Sequence, residues 1–186
     1  MRVISGTLKG RSIDFIKNSK TRPLRDSVRE SIFNILKHSN LTKVKIENSN
    51  ILDLYSGVGS FGIECLSRGA KKVTFIEQDP LASKILKENL IKLSIINRSK
   101  IQNSKIESVL EKYKEEKFEI FFLDPPYADT KFVHVIKLLK NNKIYKKNHS
   151  VIIHRERGNS DDFENFLRVI KTKFYGRSKI LFGEFI

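Results

Sequence analysis

Residues 2–16 alternate apolar and polar positions around Gly6 and Gly10, the pattern of a short hairpin. Pro23 fits only a first helical turn, and after it Leu24, Val28, Ile32 and Ile35 recur at the spacing of an amphipathic helix. Arg22, Arg25 and Arg29 are spaced to share another face of that helix or to flank its start. A polar connection runs from Leu41 to Asn50, and beyond it the pattern changes to strand–helix alternation. Strands are expected at 51–55, 72–77, 100–103, 118–123 and 150–156, with helices at 60–68, 80–93, around Ile106–Tyr113 and around Phe132–Leu139. Two further strands, 167–175 and 178–186, joined at Gly176, are close enough to form an antiparallel hairpin. Such alternation predicts an α/β fold, a doubly wound and mostly parallel sheet covered on both faces. The expected organisation is a small N-terminal extension over residues 1–40 and one compact domain over 41–186. In such sheets ligands bind beyond the carboxyl ends of the strands, where strand order reverses.

Composition narrows the class. At 186 residues, 39 % apolar and 31 % charged, the chain is globular and has room for a core. The longest apolar run is Ile120–Leu123, which is too short for a membrane span, and residues 1–11 have no secretory h-region. One cysteine, Cys65, excludes a disulfide framework, and the four histidines show no ligand spacing, so no metal is expected. A soluble, cytoplasmic protein follows.

Charge placement then points to a partner. The net charge is +15, and three segments carry the excess: residues 1–30, 131–150 and 168–179, at +5, +6 and +5. The rest of the chain is balanced. Lysine often only solvates a surface, but drift in composition would scatter it evenly, so a polyanion-binding face is the stronger reading.

Two motifs carry the chemistry. After the first expected strand comes Asp53-Leu-Tyr-Ser-Gly57-Val-Gly59-Ser-Phe-Gly62. Its glycines allow close backbone approach at a helix N-terminus, although three glycines at this spacing are a weak signal alone. Asp53 suits a cationic ammonium group better than a pyrophosphate. Glu77, followed by Gln78 and Asp79, ends the second strand where an acid can hold both ribose hydroxyls. Together they fit S-adenosylmethionine better than NAD; the bland reading of both acids is turn and strand-end capping.

The fourth strand runs into Asp124-Pro125-Pro126-Tyr127. Consecutive prolines fix φ and leave rigidly aimed carbonyls, Asp124 adds a carboxylate, and Tyr127 a flat ring. A planar exocyclic amine needs this set: acceptors for its hydrogens and a surface on which its base stacks. Tyr55 is wall or ligand contact, Cys65 a small core residue, and His154 and Arg155 carry no assigned role.

Asp53–Gly59 followed by Asp124–Tyr127 resembles a class I methyltransferase acting on an exocyclic amine. More narrowly, Arg2–Arg11 (RVISGTLKGR), Arg22–Phe33 (RPLRDSVRESIF) and these core motifs resemble the RsmD family, the bacterial 16S ribosomal RNA guanine-N2 methyltransferases. The likeness covers essentially the whole chain. It implies a seven-stranded Rossmann-like sheet of order 3-2-1-4-5-7-6 with the last strand antiparallel. It also implies S-adenosylmethionine as cofactor, and ribosomal RNA or a small-subunit assembly particle as substrate. By analogy Asp53, Tyr55, Gly57, Gly59, Glu77, Gln78, Ile106 and Asp124 line the cofactor. Asp124, Pro125, Pro126 and Tyr127 then hold the base, and Arg11, Arg22, Arg25 and Arg29 contact RNA. No membrane or metal is expected, and a monomer is, because no long apolar surface stripe is left over.

Three rivals remain at this stage. A DNA or other RNA amino-methyltransferase shares the Asp-Pro-Pro-Tyr motif. An NAD-dependent oxidoreductase leaves that motif without a task. A non-catalytic RNA-binding protein needs neither Asp53 nor Glu77.

Overall fold

The computed structural model describes residues 1–186 except 17–23, 39–42, 112, 114, 115 and 164. Arg22 and Pro23 therefore lie outside the described residues. Seven strands form one sheet: β1 (Asn50–Leu54), β2 (Lys72–Ile76), β3 (Ser99–Gln102), β4 (Phe118–Leu123), β5 (Tyr145–Glu156), β6 (Leu167–Tyr175) and β7 (Ser178–Phe185). Their order is β3-β2-β1-β4-β5-β7-β6, with β7 antiparallel to both of its neighbours and the other pairs parallel, as the resemblance implies. Among the described residues five α-helices cover it: α1 (Asp26–His38), α2 (Ser60–Ser67), α3 (Pro80–Lys92), α4 (Ile106–Leu110) and α5 (Phe132–Asn141). Among the described residues no helix is long and apolar enough to cross a membrane.

The apolar runs of the central strands leave side chains on both faces, and each face has its own core. On one side Ile51, Val73, Phe75, Ile120 and Ile152 pack under α1, α2 and α3. On the other Leu52, Leu54, Phe121, Leu123, Val151 and Ile153 pack under α4 and α5. A ladder of rings, Phe33 on α1 against Phe61 on α2 against Phe122 on β4, ties the first helix to the sheet at centroid spacings of 5.2 and 4.0 Å.

Residues 1–16 form a hairpin-like arch with a single bridge, Arg2 to Ser12, rather than two full strands. The arch is held by buried polar side chains. Glu64, with no exposed surface, accepts the N–H groups of Ile4 and Ser5 at 2.8 and 2.9 Å. Ser67 bonds Ser5 and Leu8, and Asn89 brackets the backbone of Asp14. Val3, Ile13, Leu24 and Val28 join the same core as Ile51 and Phe61, so the N-terminal extension shares one hydrophobic interior with the sheet.

Two expectations need correction. The fifth strand begins at Tyr145, five residues early, because the polar run Lys146–His149 is carried along a bulge opposite β4 and anchored where Tyr145 and His149 stack on Phe185. The spacing of Arg22, Arg25 and Arg29 misled for Arg29, the one of them on α1. Arg29 sits between Val28 and Ile32 on the wide buried side of the helix and is fully enclosed. Its Nη2 donates to the Arg2 carbonyl and to Asp26 at 2.6 and 2.9 Å, so it faces the protein interior and not RNA. Burial lowers its pKa, with Asp26 and Glu64 opposing.

Candidate active site

β1 lies between β2 and β4, with Leu54 in register with both Ile76 and Leu123. The segments that leave these three strands therefore emerge side by side. After β1 the chain turns sharply: Tyr55, Gly57 and Gly59 have φ of 57°, 54° and 87°. At Gly59 a side chain is excluded twice over, since a Cβ there would lie 2.4 Å from Leu86 Cδ1.

The two acids read from the sequence hold this turn. Asp53 is 1 % exposed, and its Oδ2 accepts the Gly62 N–H at 3.0 Å. From the strand below it satisfies an amide that α2 cannot pair internally. The ammonium-facing task expected of Asp53 is thus preceded by a structural one. Burial drives its pKa well above the ordinary carboxylate range; the Gly62 bond opposes this, and Asp124 and Glu77 add to it. Glu77, half-buried at the end of β2, accepts Gly57 N–H at 2.7 Å and Asp79 N–H at 2.8 Å with its two oxygens. Gln78 beside it is exposed, and Ile106, at the start of α4, is buried. The Tyr55 ring packs toward the α4–α5 face, and burial together with Asp129 and Glu107 pushes its hydroxyl pKa upward.

At the end of β4, Asp124 N–H reaches back to the Leu54 carbonyl at 3.4 Å. Its Oδ1 lies 2.7 Å from His154 Nδ1, and His154 Nε2 lies 3.4 Å from the Tyr127 hydroxyl. The tyrosine and histidine rings meet edge to face at 5.7 Å. Tyr127 is 40 % exposed, so part of its side chain is open to solvent. Burial, Asp124 and Glu156 raise its pKa, while Ser178 and Arg25 lower it; Arg25, at the foot of α1, is thus within electrostatic reach of the tyrosine.

A strut from β5 fixes the loop. Arg155, 1 % exposed, donates to the Pro126 carbonyl at 3.2 Å, pairs with Asp161 through two nitrogens at 3.1 Å, and lies 4.1 Å over the Phe132 ring. Asp129 N–H also bonds the Pro126 carbonyl, and Asn159 bonds that of Tyr127. Pro126 is thus occupied as a scaffold, and Pro125 is the one of the two prolines whose carbonyl takes no partner among the described residues. Sequence reasoning gave His154 and Arg155 no role. The available signal was register: in a parallel pair with Leu123 opposite Ile153, the next residues, Asp124 and His154, must be neighbours.

The structure therefore brings Asp53, Tyr55, Gly57, Gly59, Glu77, Ile106 and Asp124–Tyr127 to one end of the sheet. Arg25 is exposed near them, Arg11 is exposed on the N-terminal arch, and Arg29 is internal. Two surface concavities of about 510 and 520 Å³, one beside α3 and β3 and one lined by Lys147, His149 and Arg168, include none of the motif residues.

Residues 1–184 match the family described as Conserved hypothetical protein 95. The ribosomal RNA small subunit methyltransferase D of Haemophilus influenzae is 34 % identical over 84 % of this chain and 79 % of its own length. The Escherichia coli K12 protein of the same name is 34 % identical over 76 % of this chain and 68 % of its own. The solved structure of Escherichia coli yhhF superimposes with a TM-score of 0.82 at 28 % identity, covering 98 % of this chain and 96 % of that one. An RNA methyltransferase from Salinibacter ruber, solved with S-adenosyl-L-homocysteine, shares the fold at a TM-score of 0.62 and 14 % identity, over 87 % and 92 % of the two chains. The α/β sheet is accordingly that of the S-adenosylmethionine-dependent methyltransferases, and the chain belongs to the family of the ribosomal RNA small subunit methyltransferases D.

Proposed function

We propose that the protein methylates the exocyclic N2 amine of a guanine in small-subunit ribosomal RNA, with S-adenosylmethionine as donor. It acts in the cytoplasm as a monomer and without a metal, on ribosomal RNA or an assembling small subunit. The carrying observation is adjacency: the glycine turn braced by Glu77 and the Asp124–Tyr127 loop flank the same strand end.

The residues present fit the donor. Glu77 places a carboxylate at the turn, suited to a ribose diol, and Gly57 and Gly59 leave the backbone bare of side chains. Tyr55, Gln78 and Ile106 follow β1, β2 and β3 in the chain, and Asp53 lies in β1. S-adenosylmethionine, when bound, supplies an electrophilic methyl group.

The acceptor side follows from this chain's own groups. Guanine N2 is a poor nucleophile because its lone pair is delocalised into the ring. Asp124 Oδ2 and the Pro125 carbonyl accept the two amine hydrogens and localise that pair. The acceptors are aimed before the base arrives, so they stabilise positive charge as it builds on nitrogen. Asp124 then takes the released proton. Unstacking the base costs a few kcal/mol, which stacking on Tyr127, worth about 1–3 kcal/mol, partly offsets.

The test uses labelled S-adenosylmethionine, total ribosomal RNA and duplex DNA side by side, with nucleoside analysis of the product. N2-methylguanosine in RNA is expected, and Asp124→Ala should abolish it while leaving donor binding within about tenfold. Label in N6-methyladenine, or wild-type turnover by the variant, would overturn the reading.

A further inference from the structure

We infer that His154 is a positioning residue: one imidazole, acting as the Nδ1–H tautomer, locks the amine-accepting carboxylate of Asp124 and the stacking ring of Tyr127 into a single rigid unit. This rests on the amine-methylation reading and goes beyond it by naming the group that orients the acceptor.

The geometry sets the proton positions. Asp124 Oδ1 is a carboxylate oxygen and can only accept, so at 2.7 Å His154 Nδ1 is the donor. In the neutral imidazole that leaves Nε2 with a lone pair, which faces the Tyr127 hydroxyl at 3.4 Å as its donor. A chain of two hydrogen bonds thus runs Tyr127 O–H to His154 Nε2, and His154 Nδ1–H to Asp124 Oδ1. The imidazole is only 9 % exposed, near the end of β5, where it has little freedom to rotate away. With Oδ1 held, Oδ2 is the oxygen left for the substrate amine, in a direction fixed by the imidazole. A carboxylate free to rotate would have to be ordered in each encounter, and pre-ordering of this kind acts on kcat rather than on binding.

Charged groups facing this unit are Glu156 on β5, Arg25 at the start of α1 and, beneath Asp124, Asp53 on β1; Ser178 on β7 is the neutral polar neighbour of Tyr127. None of them is placed to substitute for Nδ1–H. Arg155, next in sequence, points to Pro126 and Asp161 instead.

The experiment compares His154→Asn, His154→Gln and His154→Ala in steady-state methylation of ribosomal RNA. Asparagine carries an amide nitrogen where the imidazole has Nδ1, whereas glutamine carries it nearer Nε2. Asn is expected to keep kcat within about tenfold, while Gln and Ala lose about a hundredfold. KM for RNA, the Kd for S-adenosylmethionine and the melting temperature should stay near wild type for all three. Equal loss for Asn and Gln, or an Ala variant within about threefold of wild type, would overturn the assignment. So would a parallel collapse of donor binding, which marks a packing role. The nucleoside formed by the wild-type enzyme is read in the same assay. A wild type that modifies another atom would sink the guanine-N2 reading alone, since the ratios among variants report on His154 whichever amine is methylated.

Discussion

A carboxylate that water cannot reach is held at Asp53 by one amide hydrogen bond, and its environment favours the proton. The sign of the consequence is fixed. The folded-state pKa lies above the ordinary 3.8, so the folded protein binds this proton more tightly than the unfolded chain does. The contribution to stability is complete below the unfolded pKa and is lost as pH rises toward the folded one. Asp53→Asn keeps an oxygen for Gly62 N–H and has no charge to bury. Its stability relative to wild type should therefore climb as pH is raised from about 4 toward the raised folded-state pKa. Urea unfolding midpoints across that range would show it; a difference independent of pH would mean the buried acid ionises at no cost. Cys65 extends the same logic, for burial raises its thiol pKa and it has no exposed surface. It should resist a maleimide until the protein unfolds.

Among the elements, the N-terminal arch depends on few groups. Glu64 on α2 accepts two backbone N–H groups of the arch and Arg68 Nε at 2.8 Å, all from a fully enclosed position. Glu64→Ala would leave two amides without partners, at about 1–3 kcal/mol each. A fall in stability of that order is expected, with Ile4 and Ser5 amides losing hydrogen-exchange protection ahead of β1 and β4. Uniform loss across the sheet would instead mean that arch and sheet unfold as one unit. The same elements show what could be read in advance. Apolar-rich runs at Ile51–Leu54, interrupted only by Asp53, and Phe118–Leu123, interrupted only by Glu119, announced central parallel strands, and the Asp53 and Asp124 motifs announced their ends, because both signals are local. Glu64 as an anchor and Arg29 as an interior cation were not legible, and the His154–Asp124 pair only through the register of β4 and β5. Each depends on which distant segment packs against the residue, and helical or strand spacing carries no record of that. Residues 145–149 fell outside the strand expected at 150–156 for the converse reason: the ring contacts that hold Tyr145 and His149 in β5 use Phe185, almost forty positions away.

Over the whole molecule the charge is divided. The catalytic end gathers Asp53, Glu77, Asp124 and Glu156, while the excess of +15 lies in α5, the start of β5, the edge strand β6 and the N-terminal segment. Exposed charges on β6 also protect an open sheet edge from pairing with another chain, so they do not by themselves report on RNA. The arginines of α1 separate the two explanations. Arg25 is exposed and within electrostatic reach of Tyr127, whereas the Arg29 guanidinium is sealed against Arg2 and Asp26. Counterion release makes the logarithm of RNA affinity fall linearly with the logarithm of salt, and each lost phosphate contact flattens that slope by about one. Arg25→Ala should flatten the slope by that amount. Arg29→Met, which keeps the buried volume without the charge, should leave the slope alone and alter only the melting temperature. Filter binding of ribosomal RNA from 50 to 300 mM salt, on the order of the range over which such contacts are resolved, measures both. If Arg25→Ala leaves the slope intact, Arg25 carries no phosphate, and Arg11 with the basic faces of α5 and β6 must supply the electrostatic affinity.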